Sequence, residues 1–79
     1  MTVKITVVNM ITKSSLRMEL EPHEKMAEII EIATSYWGEG AEAFVLKKGT
    51  KLLPGSRTVE EMNLCDGDVV EIIPDPEGG

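Results

Sequence analysis

Few side chains in this chain are equipped for chemistry, and they do not gather. Cys65 is the one thiol and His23 the one imidazole. A nucleophile needs a base within hydrogen-bond reach, and neither residue has the other near it in sequence. Cys65 therefore reads as a small buried or half-buried residue beside a turn, and His23 as a surface residue of the turn that leads into a helix. One Cys and one His are too few to hold a metal of the thiolate and imidazole kind. Asp66-Gly67-Asp68 lacks the ordered ligand spacing of a calcium loop, and a tight turn accounts for both aspartates. Gly38-Glu39-Gly40 is too short to cradle a phosphate and reads as a helix stop with a link. What is left is the end of the sequence, Pro74-Asp75-Pro76-Glu77-Gly78-Gly79. A terminal glycine pair arises by chance in about one chain in 200, and the group it would present is a carboxylate with no side chain around it.

Size and charge limit the partners of such an end. Seventy-nine residues make one domain with little room for a deep active-site cavity. Hydrophobic residues at 42% and charged ones at 28% are those of an ordinary folded chain. With 8 Lys plus Arg against 14 Asp plus Glu, the net charge of -6 is repelled by nucleic-acid phosphates and by anionic lipid surfaces, so neither is an expected partner. A single cysteine and a charged, polar N-terminal stretch without a signal-peptide core point to a reducing, cytoplasmic setting. A monomer is expected.

The elements that must hold the end in place follow from periodicity. Val3, Ile5 and Val7 alternate with Lys4 and Thr6, and Leu16, Met18 and Leu20 alternate with Ser15, Arg17 and Glu19, so two strands form a hairpin around 9–14. Met26, Ile29, Ile30, Ala33 and Trp37 then fall on one helical stripe, with Glu24, Glu28 and Glu31 mainly off it. Pro22 suits the turn before the helix and Gly38 a left-handed cap after it, but no Ser, Thr, Asp or Asn stands ready as N-cap. Ala43 to Lys48 reads as a third strand, Lys51 to Leu53 as a short fourth, Thr58 as the cap of a single turn, and Val69 to Pro74 as the last strand.

A helix with one apolar stripe and a sheet with one apolar face must cover each other, giving a two-layer α+β domain over residues 1–73 with an extended tail, 74–79. The expected core is Val3, Ile5, Val7, Leu16, Met18, Leu20, Met26, Ile29, Ile30, Ala33, Val45, Leu52, Val59, Leu64, Val70 and Ile72. The same alternation puts Phe44, Leu46, Val69 and Ile73 on the outer face of the sheet, with Met10 or Ile11 at the hairpin tip beside them. Clustered apolar groups of this kind mark a protein-binding surface.

The order of elements, with Glu21-Pro22 leading into the helix and Arg57-Thr58 followed by Asn63-Leu64, resembles the β-grasp fold of ubiquitin and its relatives. The stretch from Leu64 through Asp66-Gly67-Asp68 to Gly78-Gly79 is similar to the small sulfur carriers and archaeal modifier proteins of that family. The resemblance implies a β-grasp with a mixed sheet on one helix, no catalytic residues of its own and no cofactor, ATP and magnesium being used by a partner. That partner would be an adenylating enzyme acting at Gly78 and Gly79, passing the chain to protein targets or a sulfur acceptor. By position, Met10, Leu46 and Ile73 resemble the hydrophobic patch by which ubiquitin is recognised.

The residues make sense of that chemistry. Glycine leaves the backbone bare enough to thread a narrow channel, and Pro74 and Pro76 favour an extended approach that loses little entropy on entering it. The tail departs from ubiquitin in carrying Asp75 and Glu77 where ubiquitin has arginines, so the groove that reads Asp75, Pro76 and Glu77 is expected to be basic. The alternative is a binding module of the same fold that uses Met10, Phe44, Leu46 and Ile73 and is never activated.

Overall fold

A computed structural model describes residues 1–38, 40 and 44–75; Pro76, Glu77, Gly78 and Gly79, with Glu39 and 41–43, lie outside the described residues. The two alternating runs form β1 (Val3–Asn9) and β2 (Ser15–Leu20), antiparallel with Ile5 opposite Met18 and Val7 opposite Leu16. Asn9 makes the turn between them: its side chain is buried and its Oδ1 accepts from the Ile11 and Thr12 amides at 2.9 and 3.2 Å.

Helix α1 (Met26–Trp37) buries Met26, Ile29, Ile30 and Ala33 as its stripe requires, with Thr34 alongside. Thr34 can be buried because its hydroxyl donates to the Ile30 carbonyl at 2.6 Å. Gly38 closes the helix at φ 74°, a left-handed conformation that glycine adopts without steric cost. Lys25, the N-cap residue, makes no side-chain cap. The missing cap is replaced from a distance: the Met26 amide donates to the Arg57 carbonyl at 2.9 Å and the Ala27 amide to Gly55 at 3.1 Å. Val59 and Glu60 answer by donating to the Glu24 and Pro22 carbonyls at 2.8 and 3.0 Å, so 54–60 lies across the start of the helix. Thr58 caps its turn as expected, the Thr58 amide donating to Glu61 Oε1 at 2.9 Å and the Glu61 amide to Thr58 Oγ1 at 3.1 Å. The bond from the Thr58 amide, helped by Arg57 at 3.7 Å, holds the Glu61 carboxyl below its ordinary range.

Strands β3 (Phe44–Lys48), β4 (Lys51–Leu53) and β5 (Val69–Pro74) complete a sheet of order β2-β1-β5-β3-β4. β5 runs parallel to β1 and antiparallel to β3, and packing of this mixed sheet on α1 gives the expected α+β architecture. The core differs from expectation in β3 and β4. Phe44, Leu46 and Leu53 are inside, at 9%, 0% and 3% exposure, while Val45 is half-buried on the outer face and Leu52 is 60% exposed. Phe44-Val45-Leu46 is apolar throughout, so its own pattern sets no phase. The phase comes from pairing: directly opposed residues share a face, and Leu46 lies opposite both Ile72 of β5 and Leu53 of β4. Since Ile72 is buried, Leu46 and Leu53 must be as well. Val3 and Leu16 pack against the core while remaining half-buried.

Candidate functional site

The tail grows out of the middle of the sheet. β5 has β1 on one side and β3 on the other, with Phe44 opposite Pro74 and Val45 opposite Ile73. The Met10 amide extends the β1 pairing by donating to the Ile72 carbonyl at 3.1 Å. The strand is thus paired up to its last residue, and the half-buried Asp75 follows directly. Of the expected tail residues, Asp75 is placed at the end of β5; Pro76, Glu77, Gly78 and Gly79 fall outside the described residues.

The outer face beside this root is apolar, but its membership needs correcting. Met10 and Ile73 are half-buried there. Phe44 and Leu46 belong to the core and are lost to any surface patch. In their place stand Val8 and Val45, both half-buried, with Val69 and Leu52 exposed at 52% and 60%. Val45 lies directly opposite Ile73, and Lys47 directly opposite Glu71. The Lys47 ammonium meets the Glu71 carboxylate at 3.6 Å, so an ion pair sits among the apolar groups. An inward Ile72 puts its neighbour Ile73 outward, and the pairing of Val45 with Ile73 places Val45 there too.

The start of β5 is fixed by the Asp66-Gly67-Asp68 turn. The Lys4 amide donates to Asp66 Oδ1 at 2.8 Å, the Gly67 amide to the Lys4 carbonyl at 2.8 Å, and the Thr6 amide to the Asp68 carbonyl at 2.9 Å. Gly67 takes φ 88°, where a side chain would be strained. Both aspartates are therefore occupied in tying β5 to β1, and no group of three or more His, Cys, Asp or Glu among the described residues is placed to hold a metal. Cys65 is exposed, contrary to the expectation of burial; it sits on the outside of this turn, its amide donating to Asp68 Oδ2 at 2.9 Å.

Asp68 also accepts from the Lys48 ammonium at 2.8 Å. That bond, and then the Cys65 amide, hold its carboxyl below the ordinary range. A folded-state pKa below the unfolded one means the stabilisation is complete above the unfolded value, about 3.9, and is lost as pH falls through the folded value. Asp68→Asn keeps an acceptor for the Cys65 amide and removes only the charge. We expect a loss of about 0.5–1 kcal/mol in urea unfolding at pH 7, screened by the exposure of Lys48. The gap between the two proteins should narrow as pH falls through the folded-state value.

Comparison of the sequence with protein-family models gives no match, and comparison with curated proteins gives none. Solved structures do match in shape. The ubiquitin of Caldiarchaeum subterraneum superposes with a TM-score of 0.87 at 21% identity, covering all of both chains. The UBL domain of Plasmodium falciparum Dsk2 gives 0.84 at 13% identity over 95% of this chain and all of that one. A chain of a pParkin-pUb-UbcH7 complex gives 0.84 at 22% identity, over 94% of this chain and 23% of that one. A mixed five-stranded sheet clasping one helix, the order β2-β1-β5-β3-β4 and these superpositions together give this chain the ubiquitin-like β-grasp fold.

Proposed function

We propose that the chain is a ubiquitin-like modifier or sulfur carrier, activated at the carboxylate of Gly79 by an ATP-dependent adenylating enzyme. The observation that carries this reading is the seating of β5 as the middle strand, paired with β1 from Val69 to Ile72 and with β3 from Glu71 to Pro74, so that the residues leading to Gly78-Gly79 start from a strand held within the sheet. With Gly79 as the chain end, its carboxylate oxygen attacks the α-phosphorus of ATP and pyrophosphate leaves. A thiolate of the partner then attacks the carbonyl carbon and displaces AMP, giving a thioester that a target lysine converts to an isopeptide. If the attacking sulfur is a persulfide, the product is an acyl disulfide. A second thiol cleaves its S–S bond, becoming a disulfide with the partner and releasing a thiocarboxylate. In both routes the chain is the carried substrate, and Asp75 and Glu77 favour a basic groove on the enzyme.

The outer face supports a second reading, a binding module that is not activated. Val8, Val45 and Ile73 around the Lys47–Glu71 pair offer a partner protein both apolar area and a charge pair to match. The intact mass of the protein taken from its native cell separates the readings. Replacement of one terminal oxygen by sulfur identifies a carrier, and the chain joined through Gly79 to lysines of other proteins identifies a modifier. A pool that is wholly unmodified, with no conjugates, leaves the module.

A further inference from the structure

We propose that a cleft on the outer face of β1 and β2, between Lys4 and Arg17, binds a single carboxylate side chain of a peptide or protein partner. The cleft has a volume of about 480 Å³ and is lined by Lys4, Thr6, Arg17, Glu19 and Gly67, with Ile5 and Met18, whose side chains are buried in the core, beneath it. It lies within the range of about 300–1,000 Å³ typical of ligand sites. Lys4 stands opposite Glu19 and Thr6 opposite Arg17, so the two cations are diagonal neighbours across the pair of strands. Among the described residues neither is in an ion pair. The ion pairs among the described residues are Lys47–Glu71, Lys48–Asp68 and Arg57–Glu61, and even Glu19, directly across from Lys4, does not close one with it.

The site is also held in place. The turn bonds that tie the Lys4 amide to Asp66 and the Lys4 carbonyl to Gly67 fix the backbone at one wall, and the ladder between β1 and β2 fixes the other. A planar guanidinium and a mobile ammonium can converge on one carboxylate, the first through two parallel bonds and the second as a point charge, with the Thr6 hydroxyl at hand.

Charge selects the occupant. Lys4 and Arg17 with Glu19 give the lining a net charge of +1, inside a chain whose total is -6. That matches one carboxylate. A phosphate dianion would be left with uncompensated charge in the field of the whole protein, and a nucleic acid would need a run of cations that the cleft does not continue. The aliphatic stems of Lys4 and Arg17 suit the stem of a glutamate side chain. This cleft is at the opposite end of the outer face from Met10 and Ile73, and its occupancy is independent of the tail.

Titration of the isotope-labelled full chain with a blocked Leu-Val-Glu-Val-Leu peptide, followed by amide shifts in NMR, tests the proposal. Saturable shifts should centre on Lys4, Thr6, Arg17 and Gly67, and the glutamine version of the peptide should bind on the order of tenfold more weakly. Arg17→Gln and Lys4→Gln should each weaken binding by a similar factor, whereas Lys13→Gln should stay within about twofold. Both cations are exposed, so the variants keep the fold, and a thermal melt checks it. Deletion of Gly79 should leave the titration unchanged, so failure here does not touch the activation of the tail and failure there does not touch the cleft. Equal binding of the Glu and Gln peptides, a stronger response to inorganic phosphate, or shifts centred elsewhere would each overturn the assignment.

Discussion

Leu46→Ala should destabilise the domain by about 2–5 kcal/mol, whereas Val45→Ala, one residue away on the same strand, should cost about 1 kcal/mol or less. The contrast follows from the two faces of β3. Leu46 is 0% exposed and faces the core between Ile72 and Leu53, so truncation leaves a cavity as well as losing the transfer energy of the side chain. Val45 is half-buried on the outer face, where solvent can fill the space left. A domain of this size has roughly 4–12 kcal/mol of total stability, so the Leu46 change removes a large part of it. Urea unfolding of the two variants gives the comparison, and Leu53→Ala against Leu52→Ala repeats it on β4. If Val45 and Leu52 proved the costly positions, the phase of both strands would have to be reversed.

The same pair of strands marks where sequence reasoning succeeds and where it stops. β1 and β2 could be assigned to faces because an apolar residue alternates with a polar one at most positions, and in β5 the single polar residue, Glu71, marks the outward phase. In α1 the stripe from Met26 to Trp37 was set by five apolar residues in phase with the helix. Local pattern holds the answer in those elements. β3 has three apolar residues in a row and β4 has two, so each could face either way, and only long-range pairing with β5 decides. The cap of α1 was illegible for a related reason. Its donors are satisfied by carbonyls of Gly55 and Arg57, some thirty residues further along the chain, and backbone groups leave no mark on residue type. Cys65 was misjudged because its exposure depends on which way the 65–68 turn leans, which is set by the bonds to Lys4. For the candidate site the consequence is direct: the outward side of Ile73 was readable from Glu71, while the exchange of Leu46 for Val45 on the outer face required the register.

If the chain is activated at Gly79 as proposed, deletion of Gly79 should abolish activation by the adenylating enzyme while leaving the unfolding curve unchanged. The shortened chain still ends in a glycine carboxylate, that of Gly78, so the chemical nature of the attacking group is the same and only its reach has altered. Reach is reduced by one residue, about 3.3–3.6 Å along an extended tail. A misplacement of about 1 Å at a reacting centre costs on the order of 100-fold, so a loss well beyond that is expected in ATP–pyrophosphate exchange. The tail cannot make up the distance by sliding inward, because β5 is held by β1 through Ile72 and by β3 through Pro74. Charge reversal by Asp75→Arg with Glu77→Arg acts on a different quantity. It leaves the length and the carboxylate intact, so it should raise the KM of the enzyme for the chain with little change in kcat, and the effect should shrink as salt is added. Loss of kcat on shortening together with loss of affinity on charge reversal separates a tail that is positioned from one that is merely attracted. Exchange that continued unaltered in the absence of Gly79 would remove the glycine carboxylate from the reaction altogether.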